Sequence, residues 1–493
     1  MAKSLGNCEI TIDEPKNVVG KKEYSASDLP SSAFTFNMSG TLTRSGGGSG
    51  TVTWSATAEI NLPLVITPNP KVVMYDSAGV TIDYTSKRGT TTVSSTWSGS
   101  GITFNPTTGS STKASVTPPG SYTITATSEG ESANAILKVV KVELNSLKFT
   151  SDHGILRNNN STWEDTGTVY SEPEWIKSPV TNNPITHTKN NKVAIELSIK
   201  VEPAGIAYSI SGNGGVSGLN FSADNLTSTG NSQAIAITST EKLADKVNII
   251  EKSISWKITI ENTELSIGDT GSHKIYVTYG TPSGSVVTEK RINCVTSACK
   301  GLANEAIIVQ KLWTDVVGPG SYSLGAPYPN PEWKILGGTS GECIAIAKLF
   351  EMAIKMIGIT PGSGSVVFLY VDPNGSSHEN SDSSNFATRD CRIGNNGHTS
   401  SIGATHADEN QYEKLAFVDN SDGGNNWEAC YKYRHNSSSS WVWYAAGTGG
   451  RYYSSVQNCM NDIVKYTRWR YCNSSFGSLG TCTDPGPSPE KTW

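Results

Sequence analysis

A chain of 493 residues holds three or four domains of ordinary size, each large enough for its own core. Only 17% of the residues are charged and 36% are hydrophobic, with 48 Gly and 22 Pro, a balance that favours strands and turns and suggests an extracellular β-rich protein over a cytosolic enzyme. The net charge of −5 comes without a basic run, which speaks against a nucleic-acid partner, and no apolar stretch approaches the roughly 18 residues of a membrane-crossing helix.

The first eight residues, Met-Ala-Lys-Ser-Leu-Gly-Asn-Cys, lack the apolar core of a signal peptide. The sequence therefore leaves three routes open: an intracellular chain, a leader already removed, or export by another path. Nine cysteines are present and eight of them follow residue 290, so the first 290 residues do not rely on disulfides. None forms a CxxC pair and no EF-hand spacing occurs, so no metal site is expected, and no cofactor motif is visible.

Residues 1–58 read as an N-terminal β segment, with strands over 33–38 and 51–58 around the Gly/Ser run Ser45-Gly46-Gly47-Gly48-Ser49-Gly50, a hairpin loop or flexible linker. Residues 59–142 carry short strands at a spacing near ten residues: 71–75, 92–98, 114–117, 122–127 and 135–142. That cadence predicts an immunoglobulin-like β-sandwich. The stretch from Pro118 to Thr127, Pro-Pro-Gly-Ser-Tyr-Thr-Ile-Thr-Ala-Thr, resembles the late strands of bacterial immunoglobulin-like repeats of surface proteins.

Residues 143–298 read as a second, larger β-sandwich. Val193, Ile195, Leu197 and Ile199 alternate along 192–201, and Ile254, Trp256, Ile258 and Ile260 along 253–261. Stretches 273–279 and 286–293 suggest a closing hairpin. No chemistry is visible there, and packing against the next unit or acting as a spacer is the expected role.

The period changes near Ser297. Over 303–317, Ala303, Ala306, Ile307, Val309, Leu312 and Val316 fall near a 3.6 repeat, which predicts an amphipathic helix and opens the last domain, 299–493. Within it, Gly341-Glu342-Cys343 leads into a second helical stretch, 344–359. Only Lys348, Glu351 and Lys355 are charged there, one narrow stripe on an otherwise apolar cylinder, so the helix is expected to be enclosed, with Gly358 ending it. A thiol in its first turn feels the positive end of the helix dipole, and the free backbone N–H groups there can support a thiolate or an oxyanion. Glu342 opposes this by its charge. The bland alternative makes Cys343 a small core residue at a helix start.

The run from Gly341 to Ile359 resembles the nucleophile helix of transglutaminase-like, papain-fold cysteine domains, in which a Gly-x-Cys turn opens a long apolar helix. The upstream helix and Trp333 fit the same pattern. The resemblance implies an α+β domain, a central buried helix packed on an antiparallel sheet, with strands at 366–371, 427–433 and 441–446. It also implies Cys343 as nucleophile for acyl transfer on peptides or glutamine side chains. The departures are specific. The family places a catalytic histidine before a Trp and a Glu, yet here Asn425 and Asn426 precede Trp427 and Glu428, and Ala445 falls near the family's Asp. Asparagine takes no proton from a thiol near neutral pH.

Two readings follow. In one, His398 or His406, in the long loop 374–410, or His435 supplies the base and Asp419 orients it, so that Cys343 is catalytic. In the other, the domain is degenerate and serves binding or assembly of a protein or peptide partner at a cell surface, with Trp333, Asn425, Asn426, Trp427 and Glu428 as candidate binding residues.

Overall fold

The structure, a computed structural model, describes residues 62–151, 154, 156–318, 332–339, 341, 343–360, 364–371, 427–445, 451–455 and 458, and the strands over 34–44, 48–58, 392–394, 412–414, 469–472 and 482–483. At the N-terminus β1 (Phe34–Arg44) and β2 (Gly48–Ala58) pair antiparallel from Arg44↔Gly48 outward, the hairpin that the Gly/Ser run suggests.

The first sandwich comprises β3 (Leu64–Thr67), β4 (Lys71–Met74), β5 (Val80–Arg88), β6 (Thr91–Thr92), β7 (Ser95–Ser98), β8 (Thr103–Asn105), β9 (Thr108–Gly109), β10 (Ser111–Val116), β11 (Gly120–Ser128) and β12 (Glu131–Phe149). One sheet runs β3-β5-β10-β8; the other places β12, β11 and β7 side by side, with β4 parallel to β12. This is the A-B-E-D and G-F-C order of an immunoglobulin-type sandwich. Two side chains reinforce the assignment. Trp97 is buried on the C-equivalent strand β7. Tyr122, near the start of the F-equivalent β11, donates its hydroxyl to the Pro118 carbonyl at 2.6 Å, the geometry of a tyrosine corner. Ile124, two residues on, is fully buried where antibody domains place a disulfide cysteine, so hydrocarbon packing holds the sheets together.

The second sandwich repeats the plan. Its strands are β13 (Trp175–Lys177), β14 (Val180–Asn182), β15 (Ile185–Thr188), β16 (Lys192–Glu202), β17 (Ala207–Asn213), β18 (Asn220–Thr227), β19 (Ser232–Lys242), β20 (Asn248–Ile260) and β21 (Thr263–Thr278). The C-terminal half of β12 pairs with β16 and β16 with β19, an A-B-E sheet; β21, β20, β17 and β18 follow in G-F-C-C′ order, with β15 parallel to β21. The alternating apolar residues expected on β16 and β20 all face the core, and Trp256 is completely buried. Its cross-strand partner is Gly212, where a Cβ would come within 2.7 Å of the indole ring. Only glycine lets that ring lie flat on the neighbouring strand.

No linker separates the sandwiches. The 19-residue β12 closes the first and opens the second, and at about 3.3 Å per residue it is the common spine of both. Its pairing passes from β4 at Val140 to β16 at Lys141 without a gap. Val72 and Val140 belong to the core of the second sandwich, and Lys138 forms an ion pair with Glu261 across the junction.

The C-terminal unit begins earlier than the change of period suggests. Where a closing strand was expected over 286–293, the chain forms helix α1 (Glu289–Ala298), capped by Thr288, whose hydroxyl accepts from the Arg291 N–H. Ile292, Val295 and Cys299, three then four apart, are its buried face. Helix α2 (Glu305–Leu312) is capped by Asn304 and runs into a π-turn, Trp313–Val317. A 3-10 turn (Glu332–Gly337) precedes α3 (Cys343–Met356). The strands are β22 (Gly364–Val371), β23 (Arg392–Gly394), β24 (Tyr412–Lys414), β25 (Trp427–Tyr433), β26 (Val442–Ala445), β27 (Trp469–Cys472) and β28 (Cys482–Thr483). Five of them form an antiparallel sheet ordered β26-β25-β22-β27-β28.

The segment 150–184, between the A and A′ strands of the second sandwich, reaches out to this unit. Its Trp163 stacks on Trp333 at 6.1 Å, and the buried Arg291 pairs with Asp165 and lies over Trp333. Glu289, buried at the start of α1, accepts from Tyr170, from Tyr276 at 2.9 Å and from Lys274 at 3.1 Å. Burial pushes its carboxyl up, but these three donors outweigh that and hold it below the usual range. Among the described residues no helix is long and apolar enough to cross a membrane.

Candidate functional site

Helix α3 is enclosed by its own composition. Ile344, Ala345, Ile346, Ala347, Leu349, Phe350, Ala353 and Ile354 are all buried, covering every side but one. On that side Glu351 and Lys355 form an i,i+4 ion pair at 2.7 Å. Cys343 is the first residue of the helix. Gly341, just before it, is buried where a Cβ would collide with Ile335, so the approach to the helix is close-packed.

The sheet fixes which end of α3 faces which residues. Phe350 packs edge-on against Tyr431 of β25 at 5.4 Å and at a tilt against Tyr444 of β26 at 4.7 Å, with Trp313 at 4.9 Å closing the cluster. Only residues 357–363 separate α3 from β22, so β22 starts beside the C-terminal end of the helix and returns toward its beginning. Trp427, which opens β25, pairs with Tyr370 near the far end of β22, and Glu428 pairs with Leu369. The start of β25 therefore lies toward the Cys343 end of the sheet, and Tyr433 lies at the opposite end.

That opposite end carries a polar cluster of its own. Glu305, the first residue of α2, accepts from the Tyr433 hydroxyl and from Tyr279 at 3.2 Å, and its carboxylate lies 2.9 Å from His435 Nδ1, an ion pair when the imidazole is protonated. Tyr433 is raised well above an ordinary phenol, first by burial and then by its bond to the Glu305 carboxylate. Beside the cluster is a cavity of about 210 Å³ bordered by Gln310, Arg434, His435, Ser440 and Tyr444. Arg434 and Lys432 both lie over the Trp441 ring, at 4.5 and 4.9 Å. Burial, then the neighbouring Arg434 charge, lowers the Lys432 pKa.

His435 is thus no partner for Cys343. Tyr279 ties Glu305 to the C-terminal end of α3, since its N–H donates to the Ile357 carbonyl at 2.9 Å, and a 14-residue helix at 1.5 Å per residue puts about 20 Å between its ends. His398, His406, Asp419, Asn425 and Asn426 lie outside the described residues. Trp333 is 3% exposed, its ring covered by Trp163 and Arg291 and its indole N–H directed at Ser285 Oγ at 3.2 Å. It packs two units together and offers a ligand no surface, contrary to its expected part in binding.

No family model matches the chain, and no curated protein does. Among solved structures it is similar to a chimeric titin Z1Z2 tandem, at 12% identity over 44% of this chain and 97% of that one, with a TM-score of 0.13. Extracellular domains 3–5 of Drosophila OTK match at 13% identity over 52% and 73% of the two chains, TM-score 0.21. Domains 4–9 of the surface layer protein SbsC match at 13% identity over 47% and 34%, TM-score 0.16. The strand order and the tyrosine corner, rather than these superpositions, identify the immunoglobulin-type sandwiches.

Among the described residues the metal-ligand types His, Cys, Asp and Glu form no cluster of three that would hold an ion. The Glu305 cluster had no signature in the sequence: its members come from β21 and its end, α2 and β25, up to 156 positions from Tyr279 to His435. One signal was present, the Asn304-Glu305 pair at the start of an apolar repeat, but it reads as a helix cap.

Proposed function

We propose that this protein acts outside the cell or at its surface as a binding or assembly module, in which two rigidly joined sandwiches present a C-terminal transglutaminase-like domain without a working catalytic set. The observation that carries this reading is the placement of β25. Its first residue, Trp427, stands at the Cys343 end of the sheet, where the resemblance puts a histidine just ahead of the Trp, and the sequence there reads Asn425-Asn426. In support, β22, β25 and β26 lie within a few residues of the three strands that the resemblance implies, and they are neighbours in the sheet. The partner would be a protein or peptide, and no cofactor is needed for this role.

A second reading, acyl transfer through Cys343, is favoured by one feature: the cysteine begins a buried helix of 14 residues, where the helix dipole favours a thiolate. Iodoacetamide labelling of the intact protein across pH, with mapping of the modified peptide, separates the two. The binding role predicts that Cys343 reacts only over the pH range of an ordinary thiol, or not at all. Rapid labelling several pH units lower would overturn it in favour of catalysis.

A further inference from the structure

Strand β28 has only two residues and sits at the edge of the C-terminal sheet, held by β27 alone. So short an edge strand is weakly fixed by its ladder. Its register supplies a second tie. Cys482 is the direct cross-strand partner of Cys472, as Thr483 is of Tyr471. Directly opposed residues of an antiparallel pair share one face of the sheet, with Cα atoms about 4.5 or 5.5 Å apart depending on the hydrogen-bonding position. Both spacings lie within the roughly 4.4–6.8 Å that a disulfide spans.

We propose that Cys472 and Cys482 form an intramolecular disulfide that fastens β28 to the sheet. Three other described cysteines are free thiols. Cys430 is opposed by Val367 and Ala445, is buried and is a free thiol. Cys294 and Cys299 are five positions apart at the end of α1, both free, and burial pushes their thiols up to about 11 and about 12. In the oxidation each thiol loses a proton, one S–S bond forms, and the two electrons pass to a disulfide oxidant such as oxidised glutathione, which leaves as two thiols. The link joins β28 through β27 to β22, since Cys472 also pairs with Phe368.

The sequence makes the test direct. Trypsin cuts after Arg470 and Lys491, so both cysteines fall in one peptide, 471–491. The full chain is incubated with oxidised glutathione, denatured, treated with iodoacetamide without reduction, digested and weighed. The disulfide predicts a peptide lacking two hydrogens and carrying no adduct, which takes two adducts after reduction. In the Cys472→Ser variant Cys482 becomes alkylatable or carries glutathione. Two adducts on the unreduced wild-type peptide, a glutathione adduct on it, or its linkage to a peptide holding any other cysteine would each overturn the pairing.

Discussion

Gly280 and Gly358 meet backbone against backbone: a Cβ on either would lie closer to the other's carbonyl oxygen than unbonded atoms approach. Gly280 follows the last strand of the second sandwich and Gly358 ends α3, with φ +85. Between them the Tyr279 N–H reaches the Ile357 carbonyl. This bare-backbone crossing lets α3 seat on the sandwich. Gly280→Ala has to push the two apart, an overpacking cost of about 1–3 kcal/mol. Limited proteolysis is expected to release the C-terminal unit faster in this variant while the first sandwich stays intact. Unchanged cleavage would mean the crossing does not fasten the units.

His273 illustrates a different cost. It is buried in the second sandwich, edge-on to Phe149 at 5.3 Å, with Nε2 2.9 Å from Thr270 Oγ1, the hydroxyl that also accepts from the Trp256 indole. Nδ1 has no hydrogen-bond partner among the described residues. Burial lowers its pKa from 6.5 to about 4. The unfolded chain therefore binds the proton first. Stability from this group is complete above about pH 6.5 and falls as the pH drops toward 4, by about 3 kcal/mol in all. Imidazole proton resonances followed by NMR should show one ring neutral down to about pH 4, and His273→Leu should flatten the loss of stability between pH 6.5 and 4. If the resonances lost in His273→Leu titrated near 6.5 in the unaltered protein, this placement would be contradicted.

Tyr122 tests the immunoglobulin-type assignment by its hydroxyl alone. Tyr122→Phe keeps the ring and removes the bond to the Pro118 carbonyl. The expected loss is about 1 kcal/mol in the urea stability of the first sandwich, the ordinary worth of one such bond. No loss at all would leave the corner as geometry without energetic weight.

Much of the sandwich architecture was legible because its signal is local. Alternation on β16 and β20 needs only the period of two, and the strands came out within a few residues of their observed limits. The shared spine β12 was not legible, since Glu131–Phe149 crosses the expected boundary at 142 with no turn residue to mark or deny it. Residues 286–293 were misread for a related reason: Val286, Val287 and Ile292 suit either period, and Thr288 as a helix cap decides it only once Val295 and Cys299 are known to face the same core. Trp333 shows the limit for sites. Its place before the cysteine fitted a binding role, yet what covers it, Trp163 and Arg291, comes from distant segments that no local pattern connects.

Glu305 is the residue whose loss the C-terminal unit should feel most. It accepts two side-chain hydrogen bonds, from Tyr279 at the end of the sandwich and Tyr433 on β25, and faces His435, just after β25, at ion-pair distance. Glu305→Ala leaves the Tyr433 hydroxyl, on a side chain 2% exposed, without its acceptor, at about 1–3 kcal/mol. Glu305→Gln keeps one acceptor oxygen and the shape, and should cost clearly less. His435→Gln should cost least, about 0–1 kcal/mol, because the imidazole is 47% exposed and water screens its pairing with Glu305. Chemical denaturation of the three variants checks this order. If His435→Gln proved as damaging as Glu305→Ala, the cluster would depend on its exposed rim instead of the buried tyrosine.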